Sequence, residues 1–499
     1  MRITNKMMTN NMMSNINKNK LSMTGLEQQY STGKKIQKPS EDPIIAVRAL
    51  KLRTNLTELG QYYEKNIPDA KSWMDVTESS LKTVNEVLTK INTYCVQGST
   101  DTLTAEDRAS VIANLQQMKE QVYQEGNANY AGRYVFSGYK TDNSLTFSEN
   151  EPNLNYAITE HFTGEQIQIA NKCVGGYTLA DLKTSTTFAD APNVQQFYRL
   201  QLSYDNLSAT APGSISYSIV NSSGVVEEQS ITGIVTKSLT DPLTDLDEAY
   251  QPGDGEIYYI PETGELILGA TIYEDLNNAT DISLTYNKTG FLDGELKPEH
   301  FFDCTKSNIT TPSDEVTYTN EDQKIQYEIN FSQKLQINTQ ASDAFSHELG
   351  RCIDDIQNSV NDVKEVEDII TELENRLKDV NLADTDKEKL QTMKGQMETE
   401  LALKKDIMQK AFSQGIAMSS KEQDKLNLAV ADLGSRYVRL ELTEDRLSSQ
   451  STDFEDLMSN NEDADIAETI IKYSSAEAIY NASLSAASKV VQSTLLDFL

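Results

Sequence analysis

Ile466–Leu499, IAETIIKYSSAEAIYNASLSAASKVVQSTLLDFL, decides how this chain folds. Ile466, Ile470, Tyr473, Glu477, Tyr480, Leu484, Ala487, Val491, Thr494 and Phe498 follow one another in steps of four and three, the spacing of one helix face. Ile471, Ala478 and Ala482, with Ile479, Ala486 and Val490, form a second stripe beside it. A helix apolar over so much of its circumference is not stable against water, so other chains are expected to bury it. Terminal segments fray unless tied down, yet this pattern runs to the last residue. Ile466, Ile470, Tyr473, Tyr480, Leu484, Ala487, Val491, Leu495 and Phe498 are therefore the candidate subunit-packing residues, joined by Leu50 and Leu56 near the other end of the chain.

Moving toward the N-terminus, helical spacing continues. Leu426, Val430, Leu433, Tyr437, Leu440 and Leu447 step by four, three and seven. Ile356, Val360, Val363, Val366, Ile370, Leu373, Leu377 and Val380 form an earlier helix face. A polar break at Asn381–Asp386 separates that helix from one expected to end near Gln414. At the opposite end of the chain, Leu81, Val84, Leu88, Ile91 and Cys95 form a heptad seam. Ser40 or Asp42 can cap a helix that begins at Pro43, and Pro68 should interrupt or kink it. Thr104-Ala105-Glu106-Asp107 reads as a cap and acidic first turn, ahead of Ile112, Leu115 and Val122.

The middle differs. Eight of the 11 prolines lie between Pro152 and Pro312, so breakers leave both flanks free for long helices. Ile215, Tyr217 and Ile219 alternate with polar residues, as do Ile282, Leu284 and Tyr286, and Ile325, Tyr327, Ile329 and Phe331. Ile257–Ile260 and Leu266–Ile272 flank the turn Pro261-Glu262-Thr263-Gly264. The expected fold is α+β. Helical segments 1–140 and 341–499 pair as a long antiparallel coiled-coil rod, around an inserted β-rich region at 141–340 that forms one antiparallel domain or two small ones.

Composition excludes several functions. With 76 acidic and 44 basic residues the net charge is −32, unsuited to nucleic acid or to an anionic membrane. Cys95, Cys173, Cys304 and Cys352 are too scattered for a metal site or disulfide framework, so free thiols are expected. No apolar leader and no run long enough to span a membrane is present, and on these signals alone the chain reads as cytoplasmic. His161, His300 and His347 stand far apart. Gly33-Lys34-Lys35 lacks the upstream Gly and following Ser/Thr of a phosphate loop, and Asn461–Asp465 lacks the Gly and distant Glu of a calcium loop. Neither catalytic residues nor a metal or cofactor site is expected.

Three stretches carry a family resemblance. Tyr30–Arg53, YSTGKKIQKPSEDPIIAVRALKLR, resembles the N-terminal signature of the flagellin superfamily through Gly33, Pro39, Asp42 and Pro43. Asn127–Thr141, NANYAGRYVFSGYKT, with Gly132, Arg133, Phe136 and Gly138, is similar to the motif closing the N-terminal helices in the hook-associated branch of that superfamily. Ile337-Asn338 before Asp343-Ala344-Phe345 resembles the family's re-entry from its variable region, and the run to Leu499 its final helix. The resemblance covers about the first 140 and last 160 residues. It implies a structural part of the bacterial flagellum: an adaptor ring of copies between hook-associated protein 1 and the flagellin filament. It also implies an extracellular location, reached through the flagellar type III system with an export chaperone and no cleaved signal, which replaces the cytoplasmic reading. A divergent filament subunit is the second reading. An enzyme displayed on a flagellin-like core is the third, and no clustered site in Thr141–Gln340 supports it.

Overall fold

The computed structural model describes residues 5–100, 103–175, 177, 191–220, 225–240, 247–310, 315–379 and 383–496, without the side chains of 5 and 490–496. In chain order the helices are α1 (Asn5–Thr32), α2 (Pro43–Gln61), α3 (Ile67–Gly98), α4 (Ala105–Glu125), α5 (Ala270–Asn277), α6 (Ala341–Ala344), α7 (His347–Leu377), α8 (Asp384–Glu462) and α9 (Ile466–Leu496). The strands are β1 (Asn129–Tyr130), β2 (Arg133–Tyr134), β3 (Glu151–Phe162), β4 (Gln168–Val174), β5 (Asn193–Gln201), β6 (Ser214–Val220), β7 (Val226–Thr232), β8 (Val235–Thr236), β9 (Ile257–Ile260), β10 (Glu265–Leu268), β11 (Asp281–Phe291), β12 (Asp303–Asn308), β13 (Val316–Tyr318), β14 (Gln326–Asn330) and β15 (Gln333–Gln336). Helical ends around a β-rich middle make an α+β fold. The chain divides into two compact units: 1–71 with 327–335 and 438–499, and 72–326 with 336–437.

In the first unit, Asp42 is the cap of α2. Its carboxylate accepts from the Ile44 and Ile45 amides, and Pro43 occupies the first turn, where its missing N–H costs nothing. Between α2 and α3 the helix widens into a π-turn, Tyr62–Asn66. Pro68 follows two residues later and would clash with a carbonyl of a regular preceding turn, so the extra residue lets the helix continue rather than break. The β14–β15 hairpin splints this defect. Asn66 donates to the Glu328 carbonyl at 2.8 Å, Phe331 meets Tyr62 edge-on at 5.6 Å, and the Tyr327 hydroxyl donates to Asp69. Sequence periodicity placed that hairpin with the β region; these contacts place it among the helices.

In the second unit, α3, α4, α7 and α8 pack together. The seam Leu81, Val84, Leu88, Ile91 and Cys95 is buried throughout. So are Ile356, Val360, Val363, Val366 and Leu373 of α7, where Ile369 replaces the expected Ile370; Val380 lies outside the described residues. Thr104 and Asp107 form a reciprocal capping box on α4. The expected helix end near Gln414 is not found, because α8 runs on for 79 residues. Gly415 is no terminator. A Cβ there would come within 2.7 Å of Ile356 Cδ1 and 2.9 Å of Cys95 Sγ, so glycine lets three helices approach.

Two sheets complete this unit, in the orders β13-β12-β3-β11-β6-β7 and β4-β5-β10-β9-β8. All pairs are antiparallel except β8 with β9. Tyr156, Ile158, Leu200, Tyr259, Leu266, Ile282 and Tyr286 share one core between the sheets. The expected hairpin around Pro261–Gly264 is present, with Ile260 opposite Glu265. Its second strand stops at Leu268, and Ile272 sits in α5 instead.

Candidate assembly surface

Helices α1 and α9 lie side by side in the first unit. They run antiparallel, since Lys34 bridges Asp463 while Asn19 Nδ2 donates to Ser483 Oγ at 3.0 Å farther along. Met12, Ile16, Asn19, Met23 and Leu26 of α1 are half-buried, at steps of four and three. Tyr473, Ala476, Tyr480, Ser483 and Ala487 of α9 are half-buried at steps of three and four. Each helix thus gives the other one narrow seam.

That seam divides the candidate packing residues. Tyr473, Tyr480 and Ala487 face α1, whereas Ile466, Ile470 and Leu484 stay exposed, as do Ile471 and Ile479. The side chains of Val491 and Leu495, and all of Phe498, lie outside the described residues. On α2, Leu50 is exposed and Leu56 half-buried; Ile44 and Val47 extend the exposed stripe of Leu50. The exposed residues form no catalytic arrangement. They offer apolar area.

An elbow closes the pair. The Lys35 amide donates to the Glu462 carbonyl at 2.7 Å, and the Ala464 amide to the Gly33 carbonyl at 2.8 Å. Gly33 has φ +70, a conformation glycine adopts without strain, and it follows the last residue of α1. Glu462 accepts from Arg53 and lies 3.4 Å from Lys34, which also pairs with Asp463. The Arg53 bond holds the Glu462 carboxyl below its ordinary range, and the Lys34 bond does the same for Asp463. Lys34 and Arg53 are shifted upward by those same carboxylates. Carboxylates with lowered pKa stabilise the folded form above their unfolded values, near 4, and lose that effect as pH falls through their folded values. The raised cations lose theirs only above about pH 10. The elbow should therefore hold across the neutral range and loosen in acid below about pH 4. Glu462→Gln should weaken it by about 1 kcal/mol, read as roughly fivefold faster tryptic cleavage after Lys34 or Lys35 at pH 7. An unchanged cleavage rate would count against it.

The second motif builds a joint inside the other unit. Ala131 and Gly132 have φ 50 and 82, giving a two-residue hairpin turn, and Gly132 N donates to Asn129 Oδ1 at 2.9 Å. The Arg133 guanidinium sits 5.0 Å from the Trp73 ring centre. Phe136 is buried edge-on to Phe345 at 5.0 Å, and the Ala341 amide donates to the Phe136 carbonyl. A Cβ on Gly138, at φ +61, would meet Gln323 Oε1 at 2.2 Å. Asn338 is fully buried and donates to the Gln323 carbonyl at 2.8 Å. The two motifs, 200 residues apart in sequence, are halves of one packed joint. Pairing of Phe136 with Phe345 was not readable from either motif by itself.

The remaining chemistry is structural. Burial pushes the thiols up, Cys173 to about 11 and Cys95, Cys304 and Cys352 to about 12, so they pack as neutral groups. His161 lies exposed, 3.0 Å from Asp281. Burial holds His300 down to about 4 and His347 to about 3. A cavity of about 1040 Å³ between β4, α7 and α8 is lined by Lys172, Tyr250, Asp362, Glu400 and Lys404. Lys172 stands 3.6 Å over the Tyr250 ring and Lys404 bridges Glu400 at 3.0 Å. Among the described residues no three His, Cys, Asp or Glu side chains are grouped to hold a metal ion, and no helix is long and apolar enough to cross a membrane.

The bacterial flagellin N-terminal helical region, as a family, matches residues 3–141, from α1 through the Gly132–Gly138 joint. Flagellar hook-associated protein 3 of Salmonella typhimurium is 31% identical over 193 residues, 38% of this chain and 60% of its own. The protein of the same description from Escherichia coli is 29% identical over 194 residues, again 38% and 60%. The chain spans about 60% of the length of these relatives. The crystal structure of the flagellar junction protein of Legionella pneumophila aligns at 11% identity and TM-score 0.32, over 84% of this chain and 100% of that one. The resemblance read from Gly33–Pro43 and Asn127–Thr141 thus stands on the flagellin-type region, where both motifs lie.

Proposed function

We propose that this protein is a structural component of the bacterial flagellum at the hook–filament junction. Copies form an adaptor ring, seated on hook-associated protein 1 and carrying flagellin above. One observation carries this reading. A flagellin-type region pairs α1 with α9 through a narrow seam, and leaves Ile466, Ile470, Ile471, Ile479 and Leu484 of α9 open to water. Neighbouring copies bury that surface, completing the antiparallel coiled coil of segments 1–140 and 341–499 into a rod. The region 141–340 faces outward. The chain reaches the outside of the cell through the flagellar type III system, met by an export chaperone. It works by packing, without cofactor or catalysis.

Deleting the gene tests the proposal. The expected cell keeps its hooks, loses its filaments and releases flagellin monomers into the medium, and complementation restores filaments. Immunogold label should sit at the hook tip. Deletion cells that retain filaments, with label spread along wild-type filaments, would show a filament subunit instead.

A further inference from the structure

His347 is the first residue of α7, and its ring is enclosed by the β region. Tyr204, Phe301 and Phe302 surround it at ring separations of 4.8, 4.7 and 5.2 Å. The Tyr204 hydroxyl donates to the Leu296 carbonyl at 2.8 Å, so at 2.9 Å it accepts from His347 Nε2. Gly264 crowds the same loop: a Cβ there would come 1.9 Å from the Tyr204 carbonyl oxygen. The histidine is the peg on which the loop after β5 and the turn at Phe301-Phe302 dock onto the helices.

The surroundings suit a neutral ring only. Arg351 lies one turn along α7, donating to the Thr263 carbonyl and standing 3.5 Å from Asp205. From α8, Lys425 donates to the Phe345 carbonyl at 3.1 Å. From β11, Lys288 approaches the Tyr204 ring at 5.6 Å and is committed to Glu295 at 3.4 Å and the Asp205 carbonyl at 2.8 Å. The carboxylates nearby have other partners. Glu160 of β3 accepts from Tyr286 and the Ser203 amide, Glu422 of α8 from Ser346, and Glu348 from Lys421. The N-terminus of α7 adds its own positive end. Burial and the cations Lys425 and Arg351 hold the ring neutral, while burial lifts Glu160 to about 7, so the site loses negative charge first as acid is added.

We propose that His347 is an acid-release latch: its protonation undocks the β5 loop and the Phe301-Phe302 turn from the N-terminus of α7. A charged ring has two donors, no carboxylate to receive them, and three cations around it. The unlatched form accepts the proton near the ordinary value of 6.5 and the latched form only near 3. Below pH 6.5 the latch therefore weakens about tenfold per pH unit, and it is intact above.

Hydrogen exchange on the full chain tests this, comparing wild type with His347→Phe and His347→Gln. Protection factors, corrected for intrinsic rates, are followed in peptides covering 200–207 and 345–352 between pH 7 and 5. Wild type should lose about sixteenfold between pH 6.5 and 5, and both variants should lose severalfold less. Equal slopes in all three proteins overturn the latch. So does a wild-type His347 carbon resonance that titrates near pH 6.5 while those peptides stay protected, a readout that needs no variant to fold.

Discussion

Replacing Ile471 and Ile479 together by glutamate should leave the isolated chain folded and abolish its incorporation into flagella. Both side chains are mostly exposed, at 69% and 55%, so the substitution removes little from the single chain's own packing. Surface changes of this kind usually move stability by less than about 0.5 kcal/mol. Assembly is different. Together with Ile466, Ile470 and Leu484 these residues offer apolar area whose burial contributes on the order of 5 kcal/mol per subunit. Two carboxylates on that face forfeit part of it and must be desolvated unpaired, at several kcal/mol each. A loss beyond about a thousandfold in association follows. Helix content by circular dichroism should match wild type, while immunogold label at hook tips disappears. Normal labelling would remove the case for burial of α9 by neighbours.

Arg199→Met should destabilise the unit containing the two sheets by about 3–5 kcal/mol. Arg199 is buried on β5. It bridges Glu265 of β10 at 2.6 Å and Asp355 of α7 at 2.5 Å, and its Nε donates to Gln168 Oε1 at 2.8 Å. Those carboxylates drive its already high pKa further upward, so it is charged at every pH the fold survives. Methionine fills similar space but leaves Glu265, itself buried, without its cation. Removing one member of such a set costs more than removing the set. Arg199→Met with Glu265→Gln and Asp355→Leu should therefore recover more than half of the loss. The only tryptophan, Trp73, lies buried in the same unit, so its fluorescence during urea unfolding reads this transition directly. A triple variant no more stable than the single one would show that Arg199 acts through packing.

Much of this architecture was legible from short-range chemistry. The Asp42 cap, the Thr104–Asp107 box, the buried seam at Leu81–Cys95 and the turn at Pro261–Gly264 each depend on residues within a few positions of one another. Long-range packing explains the failures. Gly415 marks a close helix approach rather than a helix end, and nothing within its own helix says so. Phe331 alternates like a strand residue, yet its partner is Tyr62, 269 positions away. In α9 the first stripe was read as one seam, but its members divide between two sides of the helix, because a step of three or four fits either. Tyr473 and Tyr480 meet α1, while Ile470 and Leu484 do not. The exposed apolar stripe was visible as excess apolar area, but a one-dimensional pattern does not tell which residues the chain covers for itself.

The elbow between Gly33 and Ala464 also acts as a clock. Its Lys34–Asp463 bridge joins residues 429 positions apart, so closing it brings together nearly the two ends of the chain. The chain entropy lost in that closure is about 5 kcal/mol, and no local contact contributes to it beforehand. A polypeptide leaving a narrow conduit one end first has only one half of the elbow until almost its whole length is out. On the proposed export route, α1 would have no α9 to pair with until the last helix emerged, and the elbow would close only then.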